Sequence, residues 1–464
     1  MSATKILTGA YGFACDEERR TGYFDIAVRS NLVVEIAPGS GAMRAKYPEA
    51  EVVDLSGKII LPTFFNSHFH PESLICRSLE PRSPVSQWRT EGLLNLEAAL
   101  DAQDEDFYEK MYHLTFFSAL QCGVGGMAFS VVGDETGARG MYSAVKLTGI
   151  DAVAFAESDQ QITFLKRIVD RHLKAGLFVP YQKDLTLFGL SAVARNNSDS
   201  PGWIMTHADE DAEDMEITKS NFNSGIVQLL KKSKLLNAST ILVGLNGTPA
   251  ASLKAAKNNG VKVVLIPDTL TAATFKSIRN FFGDFAIGSN WETPGLFIQM
   301  KKLLELGCDP FRALESATRS GAALFNMGSR LGSLEAGKLA SFAVVDARKL
   351  SARPLERMSP EDSARAFIED YNDSDISDVM LDGEFVYRDK KILLYEDTEL
   401  LKEGRELAGI VGKYVKAYPP LEEEKVTQMK APQTRPDGLN EPEPETKKVE
   451  LPKNIRKVFG EDEF

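Results

Sequence analysis

Histidine is scarce in this sequence. Among the 464 residues there are only five histidines, at positions 68, 70, 113, 172 and 207. The four cysteines are widely spaced and form no CxxC pair, which argues against a cysteine zinc site and against a disulfide scaffold. Unpaired cysteines are typical of a reducing compartment, so we expect a cytoplasmic protein.

The sequence also lacks an excess of basic residues and long apolar runs. Its 54 lysines and arginines stand against 66 acidic residues, a formal net charge of −12. Nucleic acid is therefore not the expected partner, because phosphate binding needs a basic surface. No apolar run reaches the roughly 18 residues of a membrane span. The short apolar run near the start ends at Asp16 and is too weak for a signal peptide.

The hydrophobic pattern changes twice along the chain. Residues 1–60 and 331–393 contain runs with a period near two, which predicts strands, and we expect these strands to pair in one composite β-sandwich. Between them, residues 61–330 alternate eight short apolar runs with helix-length segments, which predicts an α/β fold, a TIM (β/α)8 barrel. The fourth of these runs is DLTLFGL, residues 184–190. His113 and His172 lie in segments with a helical pattern, residues 107–123 and 164–176, where a structural or surface role is expected. An amphipathic helix is predicted over 394–418, and an acidic, proline-rich tail over 419–464.

Two of the histidines follow the first predicted barrel strand, in GKIILPTFFNSHFHPESLICRSL, residues 57–79. Residues i and i+2 of a strand face the same side, so His68 and His70 would both point inward at the mouth of the barrel. There, one metal ion could bind both imidazoles. The spacing alone leaves open a pair of strand-end histidines without a metal.

A third histidine follows another short apolar strand, in GWIMTHADEDAEDME, residues 202–216. His207 would complete a set of three imidazoles at the same mouth. Glu210, three residues further on, could transfer a proton to or from a water molecule that the metal activates. The alternative is that Glu210 belongs to a solvated acidic run.

Several ordered motifs resemble the metal-dependent amidohydrolase superfamily, specifically the branch of cytosine deaminase, S-adenosylhomocysteine deaminase and triazine hydrolases. The first-strand motif of that branch, GKxVLPGFVNxHxH, is similar to residues 57–70, and its third histidine followed by xxE is similar to residues 207–210. The closing segments ALFNMGSRLGSLEAGKLASFAVVDA (323–347) and ISDVMLDGEFVYRDKKI (376–392) also match. The resemblance covers roughly residues 4–395.

The resemblance implies roles for the residues that match. His68, His70 and His207 would be ligands of one divalent metal, with zinc the first choice and iron the alternative, and Glu210 would be the catalytic group for proton transfer. The implied activity is hydrolysis of a non-peptide carbon–nitrogen bond, by deamination or ring opening, in a small-molecule substrate.

Three departures from the family pattern fall at positions that carry its chemistry. Ser191 stands where the family has a fourth-strand histidine, Gly244 where it has a sixth-strand histidine, and Asn290 where it has the metal-binding aspartate. An amide cannot accept a proton near neutral pH, so Asn290 cannot act as that aspartate does. Glu292 and Asp268 are the nearest possible substitutes in sequence.

Two hypotheses remain from the sequence. The first is a metal-dependent amidohydrolase that retains its chemistry. The second is a catalytically impaired relative that serves as a binding or scaffold protein, in which the metal is absent. A homodimer is expected in either case, and the tail over 419–464 could pack on a partner subunit.

Overall fold

The computed structural model describes residues 4–76, 100 and 103–417, apart from positions 183, 200, 211, 292 and 350. The predicted tail at 419–464 therefore lies outside the described residues. In chain order the strands are β1 (Thr4–Phe13), β2 (Thr21–Arg29), β3 (Leu32–Pro38), β4 (Glu51–Asp54), β5 (Lys58–Pro62), β6 (Phe64–Phe69), β7 (Val124–Ser130), β8 (Asp151–Ala156), β9 (Leu173–Phe178), β10 (Trp203–Ala208), β11 (Thr240–Gly244), β12 (Lys262–Leu265), β13 (Ala286–Ile287), β14 (Phe342–Asp346), β15 (Ile376–Leu381), β16 (Glu384–Arg388) and β17 (Lys391–Ile392).

The helices mostly connect barrel strands. In chain order they are α1 (Ala42–Lys46), α2 (Ser73–Cys76), α3 (Glu105–Gln121), α4 (Glu135–Thr148), α5 (Asp159–Leu165), α6 (Leu187–Asp199), α7 (Ala212–Phe222), α8 (Ile226–Lys232), α9 (Ala250–Asn258), α10 (Ala272–Arg279), α11 (Phe297–Glu305), α12 (Pro310–Ser316), α13 (Arg319–Leu324), α14 (Pro360–Asp370) and α15 (Asp397–Ala417). Among the residues described here, none of these helices is both long and apolar enough to cross a membrane.

Both ends of the chain contribute to one nine-stranded sheet. Its order is β17-β16-β15-β14-β5-β1-β2-β3, with β4 paired to β1. The two chain ends meet where β14 runs antiparallel to β5, with Val344 opposite Ile60. Helix α14 also lies in the 331–393 region, where the sequence pattern predicted only strands. Its N-terminus is capped by the Ser359 hydroxyl, which accepts a hydrogen bond from the Asp362 amide at 3.1 Å.

Strands β6 to β13 form an eight-stranded parallel sheet in sequential order. The first and last edges meet beside the histidines, where the Asn290 amide donates to the His68 carbonyl at 3.1 Å and the His70 amide donates to the Asn290 carbonyl at 2.9 Å. Gly288 allows this approach, because a Cβ at 288 would lie 2.5 Å from the His68 oxygen. The predicted (β/α)8 barrel with an accompanying sheet from both chain ends is thus confirmed.

The predicted first barrel strand is divided between the two sheets. Residues 58–62 form β5 in the nine-stranded sheet, and residues 64–69 form β6 in the barrel. Thr63 lies at the division, and its amide donates to the Ser341 carbonyl at 3.2 Å. Only one residue therefore separates β5, the strand at which the two chain ends meet, from β6, the first strand of the barrel.

The fourth barrel strand was predicted in the wrong segment. The sequence pattern assigned it to residues 184–190, whereas the structure has β9 at 173–178 and starts α6 at Leu187. The Thr186 hydroxyl accepts a hydrogen bond from the Gly189 amide at 2.9 Å, which caps this helix. Apolar side chains that suggested a strand, such as Phe188 at 80% exposure, instead face solvent.

The C-terminal helix α15 packs against α3. Lys110 pairs with Glu406 at 3.2 Å, and buried His113 places its Nδ1 3.4 Å from Glu403 Oε2. The Tyr395 hydroxyl donates to the same carboxylate at 2.7 Å. This arrangement gives His113 a structural role, as its helical position suggested.

Candidate metal centre

Three of the five histidines converge at the C-terminal end of the barrel. His68 lies on β6, His70 directly follows that strand, and His207 lies on β10. All three are at most 1% exposed. One ring nitrogen from each lies within 4.8 Å of the others, and the two Nε2 atoms of His68 and His70 are 3.1 Å apart.

Two carboxylates bind the outward-facing nitrogens of this cluster. Glu210 Oε1 lies 2.7 Å from Nδ1 of His207, and Glu72 Oε1 lies 3.2 Å from Nδ1 of His70. A carboxylate at Nδ1 favours the tautomer with its proton there and leaves Nε2 as the lone-pair donor. Glu72 is buried, and burial raises its pKa to about 7.

Aromatic side chains form the walls of the cluster. The Trp291 ring lies flat on His70, with ring centroids 3.6 Å apart and an interplanar angle of 3°. Tyr181 stacks on His207 with centroids 4.7 Å apart, and its hydroxyl lies 3.1 Å from Nε2 of His70. Phe178 faces His68 at 6.4 Å. These contacts restrict the orientation of all three imidazoles.

Gly244, at the end of β11, is required by the position of Glu210. A Cβ at 244 would lie 2.6 Å from Glu210 Cγ, and the backbone there has φ +89°, where side chains are strained. The loop of Glu210 is held from the same strand end, because the Asn246 amide donates to the Glu210 carbonyl at 3.0 Å. The glycine therefore makes room for the carboxylate that holds His207.

Asn290 lies beside the histidines through its backbone, which bonds to both His68 and His70. Its φ of +59° is in the left-handed region, which asparagine tolerates better than most residues. Its Oδ1 is buried and has no hydrogen-bond partner in the part of the chain that is described. The amide thus lies next to the cluster without replacing the proton-accepting carboxylate of the family pattern.

Two of the other predicted substitutes, Ser191 and Asp268, do not join the cluster. The assignment of Ser191 to a strand end was wrong, because it lies on α6 with an exposed side chain whose hydroxyl donates to the Leu187 carbonyl at 2.8 Å. Asp268 lies in a 3-10 turn after β12 with an exposed side chain. Glu292 lies outside the described residues.

Sequence reasoning missed Glu72, Tyr181 and Trp291. Glu72 is two residues beyond His70, so the HxHxE spacing was a usable signal for a carboxylate beside the second histidine. Tyr181 follows a strand that was predicted elsewhere, and the contact between Trp291 and His70 crosses 221 positions of sequence, a distance over which spacing carries no information.

A cavity of about 560 Å³ opens beside His70 and Tyr181. Carboxylate side chains from several strand-end loops line it, and no lysine or arginine does among the lining residues described. The acidic residues that line it are Glu72, Asp134, Glu157 and Asp184.

The residues present fit a divalent metal. Four-coordinate zinc with Zn–N bonds of about 2.0–2.1 Å separates neighbouring ligand atoms by about 3.3–3.4 Å, close to the 3.1 Å between the Nε2 atoms of His68 and His70. Buried neutral imidazoles are ligands that suit zinc and iron, and the carboxylates at Nδ1 are the usual outer partners of such ligands.

Comparison with known proteins gives a consistent result. The model of the amidohydrolase family matches residues 59–386. The 5-methylthioadenosine/S-adenosylhomocysteine deaminase of Syntrophomonas wolfei is 21% identical over 407 residues, covering 79% of this chain and 91% of the relative. The enzyme of that name from Teredinibacter turnerae is 23% identical over 365 residues, covering 71% and 81%.

Solved structures share the fold. A zinc-bound adenosine deaminase of Xanthomonas campestris superposes with a TM-score of 0.77 at 16% identity, covering 89% of this chain and 99% of that one. The zinc complex of atrazine chlorohydrolase from Arthrobacter aurescens has a TM-score of 0.72 at 16% identity, with coverages of 87% and 100%. Together the comparisons confirm the family resemblance and the predicted class, a hydrolase of carbon–nitrogen bonds. They give no support to the alternative of an impaired scaffold protein.

Proposed function

Because this chain belongs to the amidohydrolase family, we propose that it hydrolyses a carbon–nitrogen bond of a small nitrogenous compound at a single metal, by deamination or ring opening. The observation that carries this proposal is the convergence of His68, His70 and His207 at the mouth of the barrel, with ring nitrogens within 4.8 Å. We assign zinc as the metal, with iron as the alternative.

A bound divalent cation in such a site lowers the pKa of a water molecule and polarises the substrate. The three histidines would hold it through Nε2. Glu210 Oε1 accepts a hydrogen bond from Nδ1–H of His207 and so keeps the Nε2 lone pair of that ring directed at the centre. Glu72 does the same for His70.

Proton transfer is assigned to Glu210. Asn290 cannot take this role, because a neutral amide does not accept a proton near neutral pH. Glu210 contacts a metal-ligating residue through Oε1 and its side chain is only 9% exposed, so this role requires its carboxylate to turn from Nδ1 of His207 towards the substrate. It would take a proton from the attacking water and pass it to the leaving nitrogen.

The cavity favours a substrate with several N–H groups. Carboxylates accept hydrogen bonds from amino and amidine nitrogens, and the cavity presents carboxylates from four different loops without a lysine or arginine among its described lining residues. The names of the relatives make 5-methylthioadenosine and S-adenosylhomocysteine the first compounds to test.

A cellular location and an oligomeric state are also proposed. Cys15, Cys122 and Cys308 are all free, which supports a reducing, cytoplasmic location. A homodimer is the proposed assembly, because twofold dimers are the commonest oligomers.

Metal analysis tests the proposal. The purified protein should contain about one zinc or iron per chain, and His207→Ala should lose it. His172→Ala is the matched control, because His172 lies between Asp151 and Asp382 outside the cluster, and it should keep its metal. Ammonia release from adenine nucleosides and other amines, abolished by His207→Ala, would identify the substrate. A wild-type protein without stoichiometric metal after growth in metal-supplemented medium would contradict the proposal.

A further inference from the structure

Tyr181 contacts two of the three histidines of the metal centre. It follows β9 by three residues and is 8% exposed. Its hydroxyl oxygen lies 3.1 Å from Nε2 of His70, the nitrogen that faces the centre, while its ring stacks on His207 with an interplanar angle of 23°.

The distances around this hydroxyl match those between ligands of one ion. Nε2 of His70 is 3.1 Å from Nε2 of His68 and also 3.1 Å from Oη of Tyr181. Both distances are close to the roughly 3.3–3.4 Å that separates neighbouring ligand atoms when bonds to a four-coordinate zinc are about 2.0–2.1 Å long. The Tyr181 oxygen therefore has the spacing from Nε2 of His70 that a neighbouring ligand would have.

The charge of the centre also favours an anionic oxygen. Three neutral imidazoles bring no negative charge into direct contact with the cation. The carboxylates of Glu210 and Glu72 lie behind His207 and His70, and Asn290 provides only a neutral amide where the family resemblance places a carboxylate. Burying an uncompensated charge is unfavourable. A phenolate would supply the missing negative charge, and a nearby divalent cation makes the loss of the phenol proton easier.

The backbone of this segment is fixed by the next residue. The Gln182 side chain accepts a hydrogen bond from the Asp209 amide at 2.6 Å and donates to the Thr218 hydroxyl at 2.7 Å. Asp209 lies two residues beyond His207, so Gln182 ties the loop of Tyr181 to the strand end that carries a metal-ligating histidine. Such support keeps a ligand in place before the metal arrives.

We propose that Tyr181 is the fourth protein ligand of the metal and replaces the carboxylate that Asn290 lacks, so that the water of the proposed reaction would need a fifth coordination position. This inference rests on the proposed function, because it requires a metal at the three histidines. On binding, the phenol O–H bond breaks, a bond forms between Oη and the metal, and the proton is released to solvent.

Copper(II) is a suitable probe, because a phenolate bound to copper gives a charge-transfer band in the visible spectrum that imidazole ligands do not give. We expect the band in the copper-loaded full-length protein and its loss in Tyr181→Phe, which keeps the ring and its stacking. Tyr395→Phe removes a hydroxyl that bonds to Glu403 instead, and this control should keep the band. Calorimetry in buffers of different ionisation enthalpy should show one proton fewer released when zinc binds to Tyr181→Phe.

The outcomes separate the two proposals. If wild-type protein binds neither copper nor zinc, the metal site itself is wrong and both proposals fail. If it binds copper in a His207-dependent manner but shows no charge-transfer band, or if the band persists in Tyr181→Phe, then Tyr181 is not a ligand although the metal site stands. Lower zinc affinity in Tyr181→Phe without a band in the wild type would also overturn ligation, because losing the hydrogen bond to His70 would suffice to explain it.

Discussion

Glu210 occupies the space that any side chain at position 244 would need. A Cβ on Gly244 would lie 2.6 Å from Glu210 Cγ, while Glu210 Oε1 is 2.7 Å from Nδ1 of His207. The absence of a sixth-strand histidine and the contact between Glu210 and a metal-ligating residue are therefore one structural feature. Gly244 is therefore more than the absence of a histidine, because it leaves the space in which Glu210 contacts His207.

Gly244→Ala should weaken metal binding. The added methyl group displaces Glu210 from His207, and loss of such an outer partner typically lowers metal affinity about 10–100-fold. The control is Gly307→Ala, where φ is +81° and no atom lies within 4 Å of the added Cβ. Both variants should lose about 1–2 kcal/mol of stability from the left-handed backbone, but only the first should show a lower zinc affinity in a chelator competition. Equal affinities would show that Glu210 does not hold His207 in solution.

Glu72→Gln should lower zinc affinity by about 10-fold. The amide oxygen can still accept the hydrogen bond from Nδ1 of His70, but the charge that strengthens this bond is lost. Glu403→Gln is a matched control, because Glu403 is also buried and also faces a histidine Nδ1, that of His113, away from the centre. The control should change the thermal stability and leave zinc affinity unaltered. A similar loss of zinc affinity in both variants would mean that Glu72→Gln acts by destabilising the fold and not through the hydrogen bond to His70.

Much of the site could be predicted from sequence because it depends on local spacing. His68 and His70 lie two residues apart at the end of one strand, and His207 and Glu210 lie three apart at the end of another, so backbone geometry alone brings each pair together. The convergence of the two pairs follows from the order of parallel strands in a barrel, which the alternating pattern of the sequence indicates.

The remainder depends on contacts that local patterns do not encode. β9 contains Lys174 and Gly176, which interrupt its apolar run, so this segment had a helical pattern. Because the strand was not predicted there, Tyr181 was not recognised as a residue at a strand end. Trp291 reaches His70 only because the barrel closes at that edge. The exposed apolar residues of α6 gave the opposite error, since they resembled a buried strand.

Asn290→Asp should strengthen metal binding. The substitution places a hard anionic oxygen at a position whose backbone bonds to both His68 and His70, and charge of this kind is what the three imidazoles lack. We expect zinc affinity to rise by at least about 10-fold, on the scale of other changes around metal sites. Asn326→Asp is the control, because its φ of +55° is nearly the same and its side chain is exposed. Unchanged affinity in Asn290→Asp would indicate that the side chain at 290 does not reach the metal.

Gly176→Ala tests the corrected position of the fourth barrel strand. In β9, a Cβ at 176 would lie 2.5 Å from the Phe155 ring and 2.9 Å from the Trp203 carbonyl oxygen, and overpacking of this kind lowers stability by about 1–3 kcal/mol. Gly202→Ala adds the same methyl group where no atom lies within 4 Å, and a change there should stay within about 0.5 kcal/mol. Urea unfolding of the two variants measures the difference. If residue 176 belonged to a helix on the outside of the barrel, as its sequence suggested, alanine would be tolerated or stabilising, and Gly176→Ala would unfold at the same urea concentration as Gly202→Ala or at a higher one.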